Sequence, residues 1–132
     1  MFIDASAFCA VLLGEPERDV FLERMVSASQ ACTSAIAMWE TVRALAREAE
    51  GEVQQASMLV EDLVGAIDAR VVSIGLAEQR LAVEAFERFG KGRHPAELNM
   101  GDCFAYACAR GLDVPLLFKG NDFSKTDIGI VD

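Results

Sequence analysis

Four carboxylates in this chain stand where an acid needs explaining. They are Asp4, ending the apolar run "MFID"; Glu40, in "AIAMWETVRALAREAE"; Asp102, in "NMGDCFAYACARG"; and Asp122, in "FKGNDFSKTD". Each has an ordinary structural reading. Asp4 can cap a helix that opens near Ser6, because its carboxylate accepts from free N–H groups of the first turn. Asp102, with Asn99 as N-cap, occupies the third helical position, where an acid interacts well with the helix dipole. Glu40 can pair with Arg43 on a solvated face, worth only ~0.2–0.5 kcal/mol. Asp122 belongs to a Gly-Asn-Asp turn, and the nearby Asp127 reads as an Asx turn or a further ligand.

Together the acids have a chemistry that none has alone. Oxygen-only donor sets suit Mg²⁺ or Mn²⁺. Carboxylates gathered without a counterion repel and raise one another's pKa, so such a cluster calls for a divalent cation. A cation held there polarises a phosphoryl oxygen, generates hydroxide and stabilises a leaving oxygen, which is phosphodiester chemistry. Little competes for the role. His94 is the only histidine, which argues against histidine-based zinc binding and a histidine-centred triad. Cys9, Cys32, Cys103 and Cys108 are scattered through apolar patterns and read as reduced core thiols.

The elements that must position these acids alternate in type. "MFID", "ACTSA", "ARVVSI" and "VPLLF" read as strands, "ARVVSI" as a buried one, and "IGIV" as a possible last short strand. Helical patterns run to about residue 13, then over 17–29, 36–50, 52–67, 76–89 and 100–110, with Gly51, Gly90 and Gly111 at breaks or caps. This order predicts an α/β domain with a mostly parallel sheet flanked by helices, a single domain over 1–132. In such sheets ligands bind beyond the carboxyl ends of the strands, where Asp4 and the stretch after "VPLLF" both fall. At 100° per residue Asp102 shares a face with Ala105, Tyr106 and Ala109, small enough in two places to bring that helix close to the sheet. The same wheel puts Met38, Val42, Leu45 and Ala49 on one side of the 36–50 helix. Glu40 falls among Ile36, Ala37, Arg43, Ala44 and Arg47, a mixture that suits a cleft edge.

With 12 basic and 21 acidic residues the net charge is −9, which by itself argues against a nucleic-acid partner. No basic region precedes the first apolar stretch and no apolar run reaches the ~18 residues of a membrane span, so a soluble cytoplasmic protein with no membrane association is expected.

The residues in order resemble the PIN-domain ribonucleases, and within them the VapC-type toxins of bacterial toxin–antitoxin pairs. "MFIDASAF" is similar to the family's Asp-x-Ser strand end, "TSAIAMWE" to the segment delivering its glutamate, "LNMGDCFAYACA" to the stretch with its third acid, and "LLFKGNDFSKTDI" to its ending. The resemblance covers the whole chain and implies a PIN-like three-layer fold and a Mg²⁺- or Mn²⁺-dependent endoribonuclease in which an activated water attacks in line. It implies Asp4, Glu40, Asp102 and Asp122 as catalytic metal ligands, with Ser6, Asn121 and Asp127 supporting the site. Asn121 stands where many relatives carry a second acid, which leaves Asp122 and Asp127 both open as the fourth ligand. It further implies a structured RNA substrate such as transfer or ribosomal RNA, a homodimer, and a cognate VapB-like antitoxin whose C-terminal segment occupies the groove.

A cation-loaded site also answers the charge objection, since bound divalent ions turn an acidic pocket into a phosphate trap. Arg43, Lys119 and the loop with Lys91, Arg93 and His94 are then candidates to contact the RNA backbone, against a reading as surface charges. A haloacid-dehalogenase-like phosphatase needs a second Asp where Ser6 stands. A receiver domain needs an Asp ending a central strand, which neither "ACTSA" nor "ARVVSI" provides. A DNA or flap nuclease shares the chemistry. The non-enzymatic alternative is a catalytically silent PIN-like scaffold that binds RNA or a protein.

Overall fold

The computed structural model describes residues 1–48 and 51–131. Its elements, in order, are β1 (Phe2–Ile3), α1 (Ala5–Leu12), α2 (Arg18–Ser27), β2 (Cys32–Ser34), α3 (Ala35–Glu48), α4 (Val53–Ala66), β3 (Arg70–Val72), α5 (Leu76–Phe89), α6 (Met100–Leu112) and β4 (Leu116–Leu117), followed by a 3₁₀ turn at Phe123–Lys125. The sheet has the order β3-β2-β1-β4, with every pairing parallel. Parallel neighbours need crossover connections, and the helices supply them.

Strand alternation decides which layer each residue serves. Phe2 and Leu116 turn to one face and pack with Ala82, Ala85 and Phe89 of α5 and Tyr106 and Cys108 of α6. Ile3 and Leu117 turn to the other and join Phe8, Phe21, Met25, Leu45 and Val60 from α1–α4. Helices cover both faces, so β1 and its neighbour β4 are apolar throughout and fully buried.

Three readings need correction. The "ARVVSI" strand is not buried. It forms the sheet edge, with Arg70 exposed and Val71 47% exposed, because β-branched residues favour a strand without deciding its place in the sheet. Gly111 does not end its helix. The chain stays helical through Leu112, and Asp113 takes the left-handed position at φ 53°. On α3 the buried line is Ala37, Thr41 and Leu45, with Met38 and Val42 only partly covered. The Thr41 hydroxyl is satisfied by the Ala37 carbonyl at 2.8 Å.

"IGIV" contributes one parallel bridge, Ile130 to Leu116. Gly90 does follow α5, but with φ −68°. Glycine is needed there because a Cβ would lie 2.4 Å from the Phe86 carbonyl oxygen. Ala49 and the end of the 36–50 helix lie outside the described residues. Cys32, Cys103 and Cys108 are buried free thiols and Cys9 is a half-buried one. Among the described residues no helix is long and apolar enough to cross a membrane.

Candidate active site

The first acid is placed by the central strand. Asp4 leaves β1 and caps α1, its Oδ2 accepting from the Ser6 amide at 3.0 Å and the Ser6 hydroxyl at 2.6 Å. It is only 5% exposed. The Ser6 Oγ also accepts from the Lys119 amide at 2.9 Å. One hydroxyl therefore joins the ends of β1 and β4, whose backbones already meet through Asp4 N–H and the Leu117 carbonyl at 3.0 Å. The cap and the strand-end ligand position are the same place.

Glu40 comes from α3. The buried Ser34, last residue of β2, accepts from the Ala37 amide at 3.1 Å and starts that helix, so Glu40 stands in its second turn. Asp102 comes from α6, where it forms a reciprocal capping box with Asn99. The Asp102 amide donates to Asn99 Oδ1 at 2.9 Å and the Asn99 amide donates to Asp102 Oδ2 at 3.0 Å. Next to it, Gly101 lies directly against Glu40, where a Cβ would fall 2.1 Å from Oε2 and 2.3 Å from Cδ. With any larger residue at this position the Glu40 carboxylate, the mobile end of its side chain, would have to move away from α6.

These three acids line one open cleft of about 370 Å³, together with Ser6, Cys9, Arg43, Arg47 and Asn99. Its electrostatics are those of crowded, half-dried carboxylates. Burial, followed by the charges of Asp4 and Asp102, pushes Glu40 up to about 7, against a smaller opposite pull from Arg43. Asp102 rises to about 6, through burial first, with Asp4 and Asp122 adding to it and the Asn99 amide opposing. Burial raises Asp4 as well, although its bonds to Ser6 pull the other way. The Cys9 thiol in the cleft lining is raised to about 11 by burial and by the acids around it, so it stays protonated.

The remaining candidates are distributed differently. Asp122 and Asn121 are exposed on the loop after β4. Asp122 is near enough for its charge to reach Asp102, while the Asn121 carbonyl accepts from Ser124 Oγ at 2.6 Å. Asp127 is not part of the cleft lining and bonds Tyr106 and Arg88 at 2.7 and 3.0 Å. Arg43 lies on the cleft wall over the Trp39 ring, 5.9 Å from its centroid. Lys119 is paired with both Glu15 and Glu17. In the 91–94 loop, Arg93 lies over the Phe86 ring, while His94 meets Phe89 edge-on and accepts from the Ala96 amide at 3.1 Å.

Sequence reasoning missed Gly101 as a site residue and Asn99 as a cleft wall. A glycine within a helix's first turn, where no turn conformation calls for it, is the signal that could have found the first.

The donor set fits a hard divalent cation in kind, being carboxylate oxygen throughout. Among the described residues, however, no three acids already converge on a single point that would hold an ion. Asp4 Oδ2 is held by Ser6 and Asp102 Oδ2 by Asn99.

With fold and site in view, comparison with known proteins is decisive. A PIN domain is matched over residues 1–129. A VapC ribonuclease of Rhizobium meliloti is 36% identical, aligned over 97% of this chain and 99% of its own. Ribonuclease VapC42 of Mycobacterium tuberculosis is 34% identical over 97% of this chain and 96% of its own. The fold is shared with the crystal structure of M. tuberculosis VapC20, a sarcin-ricin-loop-cleaving toxin, at TM-score 0.79 and 20% identity, covering 98% of this chain and 97% of that one. It is shared also with a toxin–antitoxin complex from Klebsiella pneumoniae, at TM-score 0.70 and 17% identity, covering 99% and 95%.

The chain belongs to the PIN-domain family. Within it the chain is a VapC-type toxin, an endoribonuclease, and the silent-scaffold alternative is set aside. Nucleases of this kind depend on a divalent metal, and toxins of this kind pair with antitoxins.

Proposed function

We propose that Asp4, Glu40 and Asp102 hold Mg²⁺ or Mn²⁺ in the cleft, with Asp122 as the fourth acid, and that structured RNA such as transfer or ribosomal RNA is cleaved there. The observation that carries this reading is electrostatic. Three carboxylates share one cleft, all three are raised, and among the described residues Arg43 is the one cation that opposes the rise in any of them. Such a site is unfavourable until positive charge enters it.

When bound, the cation offsets the acids and supplies the Lewis acidity that activates water and steadies the leaving oxygen. The chain's own residues do the rest. Ser6 fixes the Asp4 carboxylate against the end of β4, and Asn99 fixes Asp102. Gly101 admits Glu40 between them. Arg43, helped by Arg47 on the same wall, holds the phosphate backbone. Lys119 serves mainly by drawing Glu15 and Glu17 toward the strand ends.

We take residues 1–132 as one functional domain, acting in the cytoplasm as a homodimer and restrained by a VapB-like antitoxin. Trp39, Val53, Met58 and Leu59 are exposed on α3 and α4, an apolar surface suited to being covered by a protein partner.

The test is cleavage of an end-labelled structured RNA pool by antitoxin-free protein with Mg²⁺, Mn²⁺ or chelator, beside Asp4→Asn and Asp102→Asn. Metal-dependent cutting lost in both variants is the expected result. Cutting that survives chelation, or survives both substitutions, would sink the assignment.

A further inference from the structure

Asp127 has three partners, all on the α5–α6 side of the molecule. Its Oδ1 accepts from the Tyr106 hydroxyl at 2.7 Å, and its Oδ2 accepts from Arg88 at 3.0 Å and pairs with Arg110 at 3.7 Å. Tyr106 is 1% exposed, with its ring packed on Phe89, and its hydroxyl, raised to about 12 chiefly by burial, remains a donor at any ordinary pH.

The segment leading to Asp127 is closed on itself. The Thr126 hydroxyl donates to the Phe123 carbonyl at 2.7 Å and accepts from the Ile128 amide at 3.2 Å. Phe123 is buried and meets Phe118 edge-on with ring centroids 5.0 Å apart. Asp122 begins this closed turn and Asp127 sits just past its end. On the facing helix, Asp102 and Tyr106 lie one turn apart. Two acids of the site thus hang from two elements that, among the described residues, are joined side chain to side chain by the Tyr106–Asp127 hydrogen bond and the Arg110–Asp127 ion pair.

We infer that Asp127 is a positioning residue: through Tyr106 it latches the loop bearing Asp122 to the helix bearing Asp102, and so sets the separation of those two acids. This rests on the reading of Asp122 as the fourth acid. It also assigns Asp127 a role other than ligand, since both its oxygens are already taken.

The test is Mn²⁺ affinity, by calorimetry, of the native protein, Tyr106→Phe, Asp122→Asn and the double variant. Amide hydrogen exchange over residues 119–126 is followed in parallel. Phenylalanine keeps the ring in the core and removes only the hydroxyl. Outer partners of metal ligands typically change affinity by about 10–100-fold, and the lower end, about tenfold, is expected for Tyr106→Phe. Faster exchange in 119–126 should accompany it, and no further loss should appear when Asp122→Asn is already present. Asp127→Asn, which still accepts from tyrosine but loses its charge toward Arg88 and Arg110, should fall between native and Tyr106→Phe.

An unchanged affinity in Tyr106→Phe overturns the latch. So does an equal loss in the Asp122→Asn background, which would mark a general effect on folding. A native protein that bound no Mn²⁺ would defeat the metal reading by itself and the latch with it.

Discussion

The carboxylate of Glu40 rests against the Cα of Gly101, with no room for a methyl group between them. An acid from α3 and the first turn of α6 are therefore in direct contact, and Asp102 is the next residue along. Alanine is a better helix former than glycine by about 1 kcal/mol, so Gly101→Ala should keep or strengthen α6 locally. Displacing reacting groups by about an ångström can cost ~10²-fold in rate. The expected variant melts close to the native temperature and cleaves RNA about 10²-fold more slowly. Near-native cleavage would mean that Glu40 works elsewhere.

The pH dependence of stability follows from the raised acids. Without metal, Glu40 titrates near 7 in the folded protein against an ordinary 4.5, so over that interval the folded state binds more protons than the unfolded one. Its contribution to stability is complete below about 4.5 and is lost as pH rises through about 7. Asp102 acts in the same sense between 3.8 and about 6. Melting temperatures taken in chelator should fall with pH across this window, and Glu40→Gln should flatten the fall.

Asp4→Asn separates folding from chemistry. Asparagine's oxygen can still accept from Ser6, while a nearly buried charge disappears. In chelator above neutral pH the variant should melt at or above the native temperature. Cleavage should be abolished, and Mn²⁺ should no longer raise its melting point. A strongly destabilised variant would show instead that the carboxylate is needed for the cap.

Arg43 and Lys119 should differ in their effect on RNA. Arg43 is on the cleft wall, whereas the charge of Lys119 is already offset by Glu15 and Glu17. Each phosphate contact on a single strand contributes ~0.7 to the slope of log affinity against log salt. Arg43→Ala should lower that slope by roughly this amount, and Lys119→Ala by clearly less. The measurement is RNA binding across a salt series in Ca²⁺, a cation chosen to limit turnover. Equal slopes for both variants would show that the two glutamates release Lys119 when RNA arrives.

Much of the frame was legible because it is written in local terms. Strand-length apolar runs alternate with helical patterns, and a parallel sheet follows. Asp4 and Asp102 were visible as acids at a strand end and a helix start, and both do cap their helices. What escaped depends on residues distant in the chain. Nothing near Arg70 says that its strand lies at the sheet edge. Nothing near Asp127 points to Tyr106 and Arg88, and nothing near Lys119 points to Glu15 and Glu17. Helix-wheel reasoning located Glu40 on a mixed face but missed Thr41 as a buried position, since a hydroxyl satisfied by its own helix behaves as apolar.

The pairing of β1 with β4 has a consequence for synthesis. Phe2 and Ile3 pair with Leu116 and Leu117, and the Ser6 hydroxyl that orients Asp4 is itself held by the amide of Lys119. A ribosome that has translated through α6 has already made Asp4, Glu40 and Asp102. It has not yet made β4, the strand that pairs with β1 on the side away from β2. Because such long-range pairing forms slowly, Asp4 is expected to reach its final orientation in the cleft only after β4 has been made, long after the three acids themselves.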